Sequence, residues 1–110
     1  MLIRLQEDKA FKLIEAFRSL DSEIPSQTIS VFLVVANNEN ISMSDLAAVA
    51  GISQASCSRN VSYLGEINRR HEPGFGLLRA TPDPQERRRN LVTLTPKGRK
   101  FYEKILKILE

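Results

Sequence analysis

A mainly α-helical chain with one small β-hairpin is the fold class this sequence predicts, and three observations predict it. Apolar residues recur at three-and-four spacing over most of the length, the mark of amphipathic helices. Gly and Pro cluster at a few short breaks instead of being scattered. Between Gly76 and Thr95 the pattern changes to two short β-like runs around a polar loop.

The elements follow in order. From Asp8 to Leu20, residues Ala10, Phe11, Leu13, Ile14, Phe17 and Leu20 mark one helical face, within a terminal helix placed at 3–20. "DSEIP" breaks it, and Pro25 stands where a new helix can open. In "SQTISVFLVVANN", Ile29, Phe32, Leu33 and Ala36 form one face. Val31, Val34 and Val35 make the helix apolar nearly all round, which predicts a central position. Asn37, Asn38 and Asn40 end it.

The stretch "ISMSDLAAVAGISQASCSRNVSYL", residues 41 to 64, is more explicit. Ser42 and Asp45 resemble a capping box, and Leu46, Ala47, Val49 and Ala50 give a short helix of small apolar residues. Gly51 ends that helix, Ile52 tucks inward, and Ser53 caps the next helix. This is the pattern of a helix-turn-helix, placed at about 42–65. At about 100° per residue, Cys57, Val61 and Leu64 share an inner side. Ala55, Ser58, Arg59 and Ser62 then point outward, and Gln54 projects from the first turn. A smooth, small, polar face can approach the floor of a DNA major groove, where Gln and Arg reach base edges. The plainer alternative is a solvated helix, which would more typically carry Glu and Lys.

Past Leu64 the helical pattern extends as far as Ile67 before Pro73, Gly74 and Gly76 end it. Gly76–Ala80 and Leu91–Thr95 read as strands joined by "TPDPQERRRN", a hairpin spanning about 76–95. A helix-turn-helix followed at once by a hairpin with a cationic tip is a winged helix. Its tip arginines Arg87, Arg88 and Arg89 would reach phosphates or the minor groove beside the recognition helix. Arg69, Arg70, Arg79, Lys97 and Arg99 would supply field or backbone contacts. A final helix at 96–109 completes a single domain with flanking N- and C-terminal helices. It carries Phe101, Ile105, Leu106, Ile108 and Leu109 along one side. That surface predicts a homodimer built from the two terminal helices, unless the first helix covers it.

Composition narrows the function. At 110 residues, 42% hydrophobic and 26% charged, the chain is ordinary for one soluble globular domain. The longest apolar run, Val31 to Ala36, is far short of the roughly 20 residues a membrane helix needs, and the first residues lack a signal-peptide core. Charge is uneven. Residues 1–58 carry four Lys/Arg against seven Asp/Glu, whereas residues 59–110 carry twelve against six. A cationic half points to a polyanionic partner, a nucleic acid or an anionic membrane. The single histidine, His71, and single cysteine, Cys57, cannot supply a metal set or a Ser–His–Asp arrangement, and no phosphate-binding Gly loop is present. No enzyme, metal or cofactor is expected. Cys57, on the inner side of the recognition helix, reads as a small core residue, with a redox sensor as the alternative.

"SMSDLAAVAGISQASCSRNVSYL" and "DPQERRRNLVTLTPKGRKFYE" resemble the helix-turn-helix and wing of the MarR family of transcription regulators. The resemblance covers roughly residues 24–106, and Asp83, Arg87, Arg88, Leu91, Val92, Leu94, Thr95 and Gly98 match. It implies that Asp83 pairs with an arginine to shape the wing loop, and that Arg87 or Arg88 reaches the DNA. Two departures accompany it. "GEINRRHEPGFG" is longer and more irregular than the family's short linker. With Glu110 as the last residue, the long C-terminal dimerisation helices are largely missing, which leaves little room for the phenolic effectors that family members bind.

The expected function is therefore a cytoplasmic, nucleoid-associated regulator of transcription. It would bind double-stranded DNA in a sequence-specific way through Ser53, Gln54, Ala55, Ser58, Arg59 and Ser62, without a membrane partner. Two alternatives remain, the first served by the same residues and the second by the acidic N-terminal half and the apolar last helix. One is a winged-helix accessory factor of replication or recombination; the other is a protein-interaction module that no longer reads DNA.

Overall fold

The computed structural model of the chain describes Arg4, residues 6–66 and residues 73–110. Five helices and three short strands are present among them: α1 (Lys9–Arg18), α2 (Ser26–Asn37), β1 (Ile41–Ser42), α3 (Met43–Ala50), α4 (Gln54–Leu64), β2 (Leu78–Pro82), β3 (Asn90–Leu94) and α5 (Pro96–Leu109). The strands form one antiparallel sheet in the order β1-β3-β2. The architecture is a winged helix-turn-helix flanked by terminal helices.

Local chemistry sets the helix ends. Asp8 caps α1 by accepting from the Phe11 amide at 2.8 Å, so the helix starts later than the 3–20 reading, with Gln6 and Glu7 in a turn before it. Ser42 and Ser53 cap α3 and α4, accepting from Asp45 N and Ser56 N. Gly51 takes the left-handed conformation, φ +71°, that closes α3 and turns the chain into α4. α4 stops at Leu64, with Gly65 as its C-cap, so it does not run on to Ile67.

The core forms where α2, α3 and α4 pack over the sheet. Val31, Phe32 and Val35 are fully buried, so the inward face of α2 is centred on these residues and not on Ile29, Leu33 and Ala36. Thr28 lies on the same buried side. Leu46, Ala47, Cys57, Val61 and Leu64 meet it from the helix-turn-helix, but Val49 of α3 is 64% exposed. At the opposite end, the rings of Phe17, Phe32 and Phe101 meet edge-on with centroids 5.4 to 5.8 Å apart, joining α1, α2 and α5. Phe101 and Ile105 therefore pack inside the molecule, and α1 covers that part of α5. Phe11, Ile14, Leu106 and Leu109 stay exposed beside it.

The sheet departs from the two-strand reading. β1 has two residues, paired as Ile41↔Val92 and Ser42↔Leu91, too few to show a period in the sequence. β2 and β3 pair from Leu78↔Leu94 out to Pro82↔Asn90, so the strands enter what had read as a ten-residue loop. Pro82 is tolerated because β2 is an edge strand. The base of this hairpin is locked to α5. Thr95 caps the helix by accepting from Gly98 N at 3.0 Å, donates its hydroxyl to Gly76 O, and donates its amide to Leu77 O at 3.0 Å. A Cβ on Gly98 would lie 2.0 Å from Leu77 O, so only glycine permits this approach.

Candidate nucleic-acid interface

α4 presents three faces. Cys57, Val61 and Leu64 are buried. Ser53, Gln54, Ala55 and Arg59 are exposed, and Ser58 and Ser62 are half-buried on the side toward the sheet. Ser56, Asn60 and Tyr63 form the third face, toward the start of α2.

Between the outward face of α4 and the hairpin lies an open cleft of about 510 Å³. Gln54 and Ser58 line one wall, Glu86, Arg88, Arg89 and Asn90 the other, and Met43 and Ser44 the end of α3. A second depression of about 370 Å³ shares Met43, Ser58 and Asn90 with it and continues past Ser62 to Arg79. The result is a continuous concave surface with a helix on one side and a wing on the other.

The wing tip is a designed turn. Asp83 is buried, and its Oδ2 accepts from Arg89 Nε at 3.0 Å and Arg89 Nη2 at 2.8 Å. Its Oδ1 accepts from the Gln85 amide at 2.9 Å, and its own amide donates to Arg89 O at 2.7 Å. The Gln85 N–H and the Arg89 guanidinium hold the Asp83 carboxyl below the usual carboxylate range. The same pair raises the pKa of Arg89, with a smaller contribution from Asp45 of α3. A carboxylate bonded on both oxygens and both sides of the loop fixes where its arginines point.

This geometry divides the predicted residues. Arg89 is the arginine that pairs with Asp83, so it shapes the loop, while its half-exposed side chain also lines the cleft. Arg87 and Arg88 are exposed and make no ion pair among the described residues. Arg88 lines the cleft, whereas Arg87 stands outside it. Arg79 pairs with Glu66 at 3.0 Å and Arg99 with Glu39, so both are partly neutralised, while Lys97 is exposed beside Gly76. Arg59 sits on the far flank of α4, donating to Ser56 Oγ at 3.0 Å and bordering a depression shared with Asp21 and Glu23. It does not line the cleft with Gln54. Arg69, Arg70 and His71 lie outside the described residues. Sequence reasoning missed Met43, Ser44, Glu86 and Asn90, which enter the cleft only because β3 folds back beside α3.

No protein-family model matches the chain, and no curated protein matches it in sequence. Solved structures do. The chain superposes with a TM-score of 0.62 on BpsR of Bordetella bronchiseptica, a protein whose DNA binding is regulated by 6-hydroxynicotinic acid, at 25% identity over 92% of this chain and 72% of that one. A MarR transcriptional regulator from Methanosarcina mazei gives a TM-score of 0.69 at 20% identity, over 88% of this chain and 63% of that one. The fold is MarR-like. The transcriptional repressor CouR, solved bound to a 23-mer DNA duplex, matches with a TM-score of 0.64 at 24% identity, over 91% of this chain and 66% of CouR. The neighbours of this MarR-like winged helix are thus transcriptional regulators, and one of them is seen on DNA.

Cys57 is buried and lies 3.6 Å from Met43 Sδ, and burial pushes its thiol pKa up. In this MarR-like domain it behaves as a packing residue. Among the described residues no group of His, Cys, Asp or Glu could hold a metal ion, and no helix is long and apolar enough to cross a membrane.

Proposed function

We propose that the domain is a sequence-specific regulator of transcription that binds double-stranded DNA at the nucleoid, in the cytoplasm, and has no enzymatic activity. The observation that carries this reading is the concave surface between α4 and the wing, with Gln54 and Ser58 opposite Arg88. In this reading α4 enters the major groove. Gln54 and Arg59 reach base edges while Ser53, Ala55, Ser58 and Ser62 keep the helix face low enough to approach them. Arg88 and Arg87 reach the backbone or the minor groove alongside, and the Asp83–Arg89 pair holds the loop that carries them. Lys97 and the partly neutralised Arg79 and Arg99 add to the field at the wing's base.

The exposed apolar flank of Phe11, Ile14, Leu106 and Leu109 supports a homodimer joined through α1 and α5. A dimer would present two α4 helices and read an inverted repeat. No effector is assigned.

The test is a binding titration against pooled genomic fragments and random duplex at two salt concentrations. Recovery of a few fragments sharing an inverted repeat, still bound at the higher salt, is the expected result. Uniform binding that vanishes with salt would reject sequence-specific regulation, and no binding at either salt would favour a protein-interaction module. On the recovered site, Arg59→Ala should relax sequence preference, with a loss of discrimination of about 1–3 kcal/mol. If affinity and preference both survive, Arg59 does not read DNA.

A further inference from the structure

The third face of α4 is polar and tied to the corner between α1 and α2. Thr28 is 1% exposed, and its hydroxyl donates to Asn60 Oδ1 at 2.6 Å. The Asn60 amide nitrogen donates to Gln27 Oε1 at 2.8 Å and to Ser56 O at 2.9 Å. One turn further on, the Tyr63 hydroxyl donates to the Asp21 carboxylate. The Tyr63 ring also meets Phe75 edge-on, with centroids 5.1 Å apart, just before β2. Burial and the neighbouring Asp21 push the Tyr63 hydroxyl up to about 12, so it remains a donor at any physiological pH.

The apolar contacts of α4 choose which side faces inward, but they constrain its fine rotation less sharply than directional bonds do. Cys57, Val61 and Leu64 are small or flexible knobs, and hydrophobic burial is non-directional. Hydrogen bonds depend steeply on angle. A helix carries its side chains about 5–6 Å from its axis, so a rotation of about 20° moves an outward group by about 2 Å. That displacement is enough to break a bidentate contact to a base edge, yet it barely alters attraction to phosphates. Two tethers one turn apart, both leading to the α1–α2 corner, restrain rotation and tilt together.

We propose that Asn60 and Tyr63 are positioning residues for base reading: held by Thr28, Gln27 and Asp21, they set the rotation of α4 that aims its outward face. The role rests on the DNA-binding reading above. It makes a separate demand on the free protein, namely that α4 loosens on α2 when the tethers are cut.

The experiment compares the full chain with Thr28→Val, Tyr63→Phe and the control Thr28→Ser, which keeps the hydroxyl. Amide hydrogen exchange in the free protein is read along α4 and α3, and affinity is measured for the selected site and for random duplex. Each of the first two variants should speed exchange in the second half of α4 by roughly three- to tenfold and leave α3 unchanged. Each should also lower the affinity ratio of selected to random duplex by about three- to tenfold, with random-duplex affinity and its salt slope retained. Thr28→Ser should restore both readings. A selective wild type whose variants are equally selective overturns the positioning role and leaves the DNA reading intact. Parallel loss of both affinities with a fall in Tm reduces the seam to ordinary structural support. A wild type without selectivity rejects the DNA reading, and unchanged exchange in the same variants rejects the seam on its own evidence.

Discussion

α4 and the wing face each other across one cleft, but they are held in place by different physics. α4 buries Cys57, Val61 and Leu64 in the common core and adds directional bonds through Asn60 and Tyr63. The wing loses contact with the core partway out: Val92 and Leu94 of β3 and Leu78 of β2 are buried, and the rest of β2 is exposed out to Pro82. Beyond that point its geometry depends on the strand ladder and on one buried carboxylate, Asp83. If the domain reads DNA as proposed, the difference teaches that shape-sensitive reading falls to the stiff element. In the same proposal, backbone contact, which tolerates small displacements, falls to the compliant one.

Four measurements break or sharpen that contrast. The largest effect is expected under the helix. Leu64→Ala leaves a cavity at a residue 1% exposed, costing about 3 kcal/mol and removing DNA binding together with the fold, as urea unfolding will read. Next comes the joint between the wing and the body. Gly98→Ala forces a Cβ against Leu77 O and should destabilise the chain by about 2 kcal/mol, with the shift seen first at the base of β2 in amide exchange.

The arginines should separate without a large stability change. Arg88→Ala is expected to weaken binding across all sequences and reduce the magnitude of the salt slope by about 1, with Tm unchanged. Arg89→Ala should instead free the Asp83 loop, measurable as faster exchange at the Gln85 and Arg89 amides in the free protein. Identical behaviour of the two variants would erase the division of labour at the tip.

The smallest effect is a pH dependence. Asp83 has a folded pKa below its ordinary value of 3.8, so its contribution is fully present above about pH 4 and is lost as pH falls through the depressed value. An acid titration followed by NMR should show the Arg89 side-chain resonances moving with the Asp83 carboxyl, while α4 amides stay in place. Asp83→Asn should abolish that coupling. If α4 responds at the same pH, the wing and the helix are not independent.

Much of this arrangement is legible in the sequence because it is encoded by local chemistry. Ser42, Gly51 and Ser53 announce a helix, a left-handed turn and a second helix by the backbone conformations and caps they favour. The spacing of Cys57, Val61 and Leu64 fixes the inner side of α4, and therefore which residues face outward. Prolines beside a cationic run mark a hairpin tip. The resemblance of residues 83–103 to a MarR-type wing singles out Asp83 as its structural acid.

Tertiary structure decided the rest, because those features depend on residues far apart in the chain. Only the folded molecule makes Arg89 the partner of Asp83 and leaves Arg87 and Arg88 free of ion pairs among the described residues; three adjacent arginines are equivalent in a string of letters. β1 is two residues long and exists only because β3 lies beside it. Thr28 meets Asn60 across 32 positions, and Phe17 meets Phe101 across a greater distance still. A helical period can tell which side of a segment is apolar, but not which partner will cover it. By itself the sequence determined the helices and the hairpin, the inner side of α4 and the charge of the wing. Packing determined which arginine was taken for structure, which apolar flank stayed open, and how α4 was turned toward its cleft.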